Sequence, residues 1–333
     1  MQHRWSRRGF LQFTAAGGLA TALGAGITGC SRNSHEADKH GDGAVTITHA
    51  FGRTVIPRPP SRVVSAGFTE QDDLLAVGVV PIAVTAWFGD QPYGIWPWAQ
   101  SRLGGAQPTV LTADNGIAVD RIEALKPDLI VAINAGLDAD TYQKLSAIAP
   151  TVAQAEGDAF FEPWKKQAET IGQCVSQSDQ MTARINAVDQ KFSEVAAAHP
   201  SWQSKTAVLL QGTLWQDSIV AVPAGWRTDF LTRMGLTVCP NVAPFATGQH
   251  ATIPRDRFSE VLDSTDVVIW MTESPDQQAA ILADPTVAAS RATRQNRNVF
   301  TTKDQAGAIA FSSPLSYLVV AADLPPLIGK VLG

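Results

Sequence analysis

The chain has 333 residues, 45% hydrophobic, 17% charged and 8% aromatic, with 26 glycines, 20 prolines and a net charge of −5. That composition fits a globular protein with room for about two domains, and it excludes disordered, collagen-like and disulfide-scaffold classes. The acidic balance argues against a general nucleic-acid binder, which carries a basic surplus to neutralise phosphates. Cys30, Cys174 and Cys239 form no C-x-x-C pair, so zinc-finger and thioredoxin-like readings lack their ligands or redox couple.

In chain order, residues 9–31 carry no charge, a stretch nominally long enough to cross a bilayer. It is rich in Ala, Gly and Thr, however, and Arg4, Arg7 and Arg8 precede it, which is the layout of a secretory signal. Ser6-Arg7-Arg8-Gly9-Phe10-Leu11 is similar to the twin-arginine export motif. Ile27-Thr28-Gly29-Cys30 resembles a bacterial lipobox, in which the Cys thiol is acylated and becomes the first residue. Residues 1–29 are therefore expected to be a cleaved signal peptide, and Cys30 the lipidation site that anchors the chain to the outer face of the cell membrane. Their removal takes away three arginines and no acid, leaving 23 basic against 31 acidic side chains, net −8. Residues 30–44 are polar and lack apolar periodicity, as a flexible tether would. His35-Glu36 and His40 do not make a zinc-protease helix, because H-E-x-x-H needs its histidines four residues apart and these are five apart.

Beyond the tether, short β-branched runs at 63–65, 79–84, 129–133 and around Val152 alternate with amphipathic stretches at 72–77 and 119–125. The pattern restarts at 207–211, 236–238, 267–271 and 299–300. Strands alternating with helices imply a parallel sheet in each half. The halves also share wording: Leu74-Leu75-Ala76-Val77-Gly78-Val79 parallels Leu231-Thr232-Arg233-Met234-Gly235-Leu236, a helix closed by glycine before a strand. Asp120-Arg121-Ile122-Glu123-Ala124-Leu125, leading to Asp128-Leu129-Ile130-Val131, parallels Asp256-Arg257-Phe258-Ser259-Glu260-Val261-Leu262, leading to Asp266-Val267-Val268-Ile269. Between the halves, Ile171, Val175, Ile185, Val188, Phe192 and Val195 recur at helical spacing. The expected architecture is α/β: two Rossmann-like lobes with parallel sheets, 45–161 and 201–333, joined by a single long helical connector over 162–200. Gly172 and Ser176-Gln177-Ser178-Asp179 are expected to bend the connector or cap a second piece. A helical connector allows only small changes in the angle between lobes.

An ordered series of motifs carries a resemblance: His49-Ala50-Phe51-Gly52-Arg53-Thr54-Val55-Ile56-Pro57, Arg62-Val63-Val64-Ser65, Leu74-Leu75-Ala76-Val77-Gly78-Val79-Val80-Pro81, Leu125-Lys126-Pro127-Asp128-Leu129-Ile130, Tyr142-Gln143-Lys144-Leu145-Ser146, Ile148-Ala149-Pro150-Thr151-Val152 and Ser312-Ser313-Pro314-Leu315-Ser316. In these the chain resembles the ferric-siderophore branch of the class III solute-binding proteins of ABC importers. The resemblance implies a monomer that captures a ferric siderophore between its lobes and delivers it to a permease dimer with its ATPase subunits. It also implies that one acid on each lobe docks into permease arginines; the matching positions are Asp120 and Asp256, where the family usually has Glu. An acid in a first helical turn is also favoured by the helix dipole alone, by some 0.3–1 kcal/mol.

In paired α/β lobes a ligand sits beyond the carboxyl ends of the strands. The loops there are aromatic, and Trp87, Tyr93, Trp96, Trp215, Trp226 and Phe245 are the candidate ligand contacts, with Arg227 and Lys303 as cations for a chelate's negative oxygens. Trp98, Trp164, Trp202 and Trp270 lie in or beside periodic apolar segments and are expected in the core. Iron is expected to arrive wrapped in its chelator, with no direct metal site and no cofactor. Haem is the rival ligand, with His250 or Tyr93 as the residue to reach its iron. Cys174 and Cys239 are expected to be separate buried thiols. The chain has no G-x-S-x-G elbow and no G-x-x-x-x-G-K-[ST] loop, and no G-x-G-x-x-G follows the first strand of either half. An enzyme is thus not expected; a ligand-sensing lipoprotein of the same fold is the other alternative.

Overall fold

The computed structural model describes residues 38–39, 43–156 and 160–333. The export motif, the lipobox with Cys30 and the histidines of the tether lie outside them. Asp38–Lys39 (β1), which belongs to the expected tether, runs antiparallel to the following strand.

In the first lobe, β2 (Val45–His49) and β3 (Gly52–Ile56) form an antiparallel hairpin. The chain then alternates through β4 (Val63–Ser65), α1 (Glu70–Ala76), β5 (Ala83–Thr85), α2 (Pro97–Gln100), β6 (Thr109–Leu111), α3 (Val119–Ala124), β7 (Leu129–Ala132), α4 (Ala139–Ile148) and β8 (Thr151–Ala153). Strands β4 to β8 lie in the order β6-β5-β4-β7-β8, all parallel. Strands β4, β5, β7 and β8 are buried along their length, as a sheet covered on both faces requires. Gly78, at φ +79°, ends the turn after α1, its N–H bonded to Leu75 O.

The connector is helical but in two pieces: α5 (Trp164–Cys174) and α6 (Ser178–Ala198), separated at Ser176, which sits at φ +56°. Gly172 faces Met181, and Lys165 Nζ lies 2.6 Å from Asp189 Oδ2, so the two helices double back as an antiparallel hairpin. The expected bend is therefore a full reversal of direction.

The second lobe runs through β9 (Thr206–Gln211), β10 (Ser218–Val222), α7 (Asp229–Arg233), β11 (Thr237–Val238), β12 (Ala246–Thr247), β13 (His250–Pro254), α8 (Phe258–Leu262), β14 (Val267–Met271), α9 (Pro275–Ala283), α10 (Pro285–Ala289), α11 (Arg291–Arg294), β15 (Asn298–Phe300), α12 (Lys303–Phe311) and α13 (Ser316–Leu332). Its sheet is mixed rather than parallel throughout. Strands β11, β14 and β15 are parallel to β9, while β10 is antiparallel to both β9 and β13. The reversal occurs at Gln216-Asp217, both at positive φ between the bridged residues Trp215 and Ser218. Backbone of this kind normally advertises itself with Asn-Gly or Asp-Gly, and Gln216-Asp217 is neither.

Sheet alternation explains the core. In β9 and β14, Ala207, Leu209, Val267 and Ile269 face one cluster, and Val208, Leu210, Val268 and Trp270 face another. The first cluster also holds Leu129 and Val131 of β7, Ile171 of α5, Ile185, Val188 and Phe192 of α6, and Tyr317, Val320, Leu324 and Ile328 of α13. One continuous apolar core thus runs from the first sheet through the helical layer to the second. Trp164, Trp202 and Trp270 are buried in the core and Trp98 half-buried at its edge.

The repeated wording has a repeated structural task. Asp128, before β7, accepts hydrogen bonds from the N–H groups of Ser61 and Arg62 at 2.7–3.1 Å, and Asp266, before β14, accepts from Thr206 N and Oγ1 at 2.9 and 3.0 Å. Burial opposes each charge, but these donors outweigh it and hold both carboxyls below their ordinary value. Each aspartate fastens the start of its strand to the neighbouring parallel strand.

Candidate ligand cleft

The carboxyl ends of β4, β5 and β8 feed loops that bring their aromatic rings together. Trp87 lies 5.9 Å from Phe68, 4.7 Å from Phe88 and 5.2 Å from Phe161, between ring centroids. Phe68 and Phe160 stack at 6.1 Å. Phe311, the last residue of α12, comes from the second lobe to within 5.8 Å of Trp87 and 6.2 Å of Phe88. The result is a continuous aromatic shelf to which both halves of the chain contribute.

Arg227 closes the shelf from the loop after β10. Its guanidinium carbon sits 5.0 Å from the Phe161 ring centroid and 5.8 Å from that of Trp226, within range of cation–π attraction. Nη1 donates to Gln249 Oε1 at 3.4 Å. No carboxylate among the described residues pairs with it. Burial lowers its pKa, but from a value so high that the group stays cationic. Burial, and then the charge of Arg227, hold the half-buried His250 below its ordinary pKa of 6.5, so this imidazole is neutral at pH 7. An uncompensated cation beside aromatic faces is an arrangement for an anionic oxygen carried on a bulky, partly apolar body.

Trp96 is a correction. It is 1% exposed, stacked on Trp98 at 5.0 Å and 8°, with the edges of Phe88 and Phe311 over it. Gly89 and Gly307 pack so closely on its indole that a side chain at either would collide with it. It supports the shelf from beneath. Phe245 is also removed from the shelf: its ring lies 5.2 Å from the guanidinium of Arg257, not that of Arg227. Tyr93, at φ +56°, packs against the cluster of Leu75, Val84, Ile95 and Ala99. Trp215 sits half-buried at the β9–β10 turn, its N–H bonded to Ser218 O at 2.9 Å. Lys303 opens α12, behind the Thr302–Gln305 capping box, and has no carboxylate partner among the described residues. No ring contact joins Tyr93, Trp215 or His250 to the shelf. Phe311 was missed because its signal is that of an ordinary apolar helix, Ala306-Gly307-Ala308-Ile309-Ala310-Phe311.

Asp120, in the first turn of α3, and Asp256, just before α8, are both exposed and without an ion pair among the described residues. Arg255 beside Asp256 is occupied by Asp217 and Asp284, and Arg257 by Glu260. A surface hollow of about 510 Å³ lined by Arg255, Asp256, Ser259 and Asp263 lies alongside. Cys174 and Cys239 are separate, free and buried. Among the described residues no three His, Cys, Asp or Glu side chains gather where they would hold a metal.

The crystal structure of a periplasmic solute binding protein from Mycobacterium smegmatis is similar: it shares 62% sequence identity, the match covers 88% of this chain and 100% of that one, and the two superpose with a TM-score of 0.84. The ABC transporter substrate-binding lipoprotein YhfQ of Bacillus subtilis is 28% identical over 263 residues, 78% of each chain. The Fe(3+) dicitrate-binding periplasmic protein FecB of Escherichia coli is 26% identical over 202 residues, 58% of this chain and 65% of its own. The family model described as periplasmic binding protein matches residues 63–306, from β4 through the first turn of α12. The family match spans most of the two-lobed α/β fold that carries the inter-lobe aromatic shelf, and the chain belongs to the periplasmic binding protein family.

Proposed function

We propose that this protein captures a ferric siderophore between its lobes and hands it to the permease of an ABC importer. The observation that carries the reading is Arg227, an unpaired cation set against Phe161 and Trp226 and continuous with Trp87 and Phe311. A ferric chelate has the matching character: a bulky organic envelope and oxygens that carry negative charge. The name of the Escherichia coli relative supports the same class of ligand. Trp87, Trp226 and Arg227 are the proposed first contacts, with Tyr93, Trp215 and Lys303 at the margins of the cleft.

Asp120 and Asp256 are proposed as the permease-docking acids, one on each lobe, supported by their exposure and freedom from ion pairs among the described residues. Cys30 is proposed to carry the lipid that holds the protein at the outer face of the membrane after twin-arginine export, as a monomer. The test is a tryptophan fluorescence titration against carboxylate, hydroxamate and catecholate ferric chelates and haem. Quenching by a ferric chelate at micromolar concentration or below supports the reading; quenching by haem alone, or by nothing in the panel, overturns it.

A further inference from the structure

Beneath the shelf, the first turn of α1 buries three acids, Glu70, Asp72 and Asp73, none more than 1% exposed. Asp72 and Asp73 have evident tasks as struts. Asp72 Oδ2 accepts from Trp98 Nε1 and from Ser313 Oγ, each at 2.7 Å, and Asp73 Oδ2 accepts from Gln167 Nε2 at 2.7 Å. Glu70 is different, because both of its oxygens are spent on cleft loops. Oε1 accepts from Asn134 N at 2.7 Å, and Oε2 from Thr69 N at 3.2 Å.

Asn134 extends this hold in three directions. Its carbonyl accepts from Phe68 N at 3.1 Å, its Oδ1 accepts from Phe161 N at 3.1 Å, and its Nδ2 donates to Thr69 Oγ1 at 2.9 Å. Gln167 of α5 donates to the same hydroxyl at 3.1 Å. Gly67 lies directly over the Glu70 carboxyl, where a side chain would strike it. The loops after β4 and β7 thus meet at the Glu70 carboxyl and the loop after β8 joins them through Asn134; the first and last carry Phe68 and Phe161.

We propose that Glu70 is a positioning residue for the cleft: acting through Thr69 and Asn134, its carboxylate fixes the loops of Phe68 and Phe161 and so sets the shelf on which the ligand rests. The role in ligand affinity rests on the ferric-chelate reading above; the linkage between the loops does not. Two amide donors are matched only by the ionised group, since a protonated carboxyl has one strong acceptor oxygen. Burial pushes Glu70 up to about 7 in spite of those donors. The charged groups facing this turn are Asp72 and Asp73 on the same helix, Arg102 against Asp72, and Arg184 of α6 against Arg102. Protonation would release the longer bond, from Thr69 N, and loosen the Phe68 loop.

The experiment begins with ligand-free wild-type protein, following the amide resonances of Thr69, Asn134 and Phe161 by NMR from about pH 5.5 to 8.5. All three are expected to shift with one midpoint near 7, and in Glu70→Gln to lose that transition while the rest of the spectrum is retained. Asn134→Ala is expected to uncouple Phe161 alone. The second arm titrates ferric citrate and ferrichrome by tryptophan fluorescence near pH 6 and pH 8. Wild type is expected to bind about 3–10-fold tighter at the higher pH, relative to Glu70→Gln, a ratio that cancels protonation of the chelate itself. Amides of Asn134 and Phe161 that ignore the Glu70 titration, or equal pH ratios in wild type and Glu70→Gln, would overturn the proposal. Concerted amide titration without binding of any chelate in the full panel would uphold the linkage and overturn the ferric-chelate reading.

Discussion

Arg227 pairs with no carboxylate among the described residues, which makes its substitution informative. Removing a charge-assisted hydrogen bond to a ligand costs roughly 1.5–3 kcal/mol, so Arg227→Gln should weaken binding of an anionic ferric chelate by about 10–100-fold. Its thermal midpoint should stay unchanged or rise, because no internal ion pair is lost; fluorescence titration and calorimetry check the two halves of that statement. Gly212, after β9, gives the opposite pattern. A methyl there would meet the backbone of Met271 and Thr272, which cannot swing aside, so Gly212→Ala should cost about 1–3 kcal/mol of stability, measured by denaturant unfolding. At this scale the sequence was legible where a residue's environment is local. Trp226-Arg227 stand in a loop of small and polar residues and read as a site. Trp96 differs from Trp87 in the close packing of Gly89 and Gly307 on its indole, and no local pattern records that.

Between elements, the duplicated wording separates two kinds of aspartate. Asp128 and Asp266 are consumed by strand-to-strand fastening, whereas Asp120 and Asp256 face solvent. Replacing both of the latter by Lys should abolish uptake in cells while leaving ligand affinity intact, measured by iron-chelate transport alongside binding to the purified protein; a parallel fall in affinity would remove the docking role. The connector was legible as helix from its apolar spacing, but its reversal was not, because nothing at Ser176 announces a positive φ. Its consequence is mechanical. Asp189 of α6 holds both Lys165 of α5 and Arg233 of α7, so the hairpin is tied to the second lobe at this point. Ligand binding should therefore change the radius of gyration by about an ångström or less in small-angle scattering; a fall of several ångströms would show that the ties give way. The antiparallel β10 was illegible for the converse reason: Gln216-Asp217 makes a turn that most sequences assign to glycine.

For the molecule as a whole, the buried acids reverse the usual pH dependence. Burial raises Glu70 from 4.5 to about 7 and Asp72 from 3.8 to about 6, and raises Asp73 well above 3.8, with neighbouring charges adding to the last. The folded state therefore holds these protons more tightly than the unfolded chain. Their stabilising contribution is complete below the unfolded values and is lost as pH rises through 6 to 7 and beyond. Glu70 alone corresponds to roughly 3 kcal/mol. His250, with its lowered value, works in the other direction as pH falls through its titration, but it is one half-buried group against three fully buried ones. Four partly buried carboxyls held low, Asp128, Asp189, Asp266 and Asp284, lose their contribution only below about 4, outside this window. Denaturant midpoints should consequently be higher near pH 5 than near pH 8, and Asp73→Asn should flatten the difference.

The continuous core fixes the order in which the chain can become native. Tyr317, Val320, Leu324 and Ile328 of α13 complete the cluster that both sheets share, yet α13 is synthesised after every other element described. Neither lobe is sealed until α13 has packed against both. A chain stopped before Ser316 should remain protease-sensitive along its whole length, not only in its second half. Maturation is then a single event, in which the docking of one helix seals both lobes together.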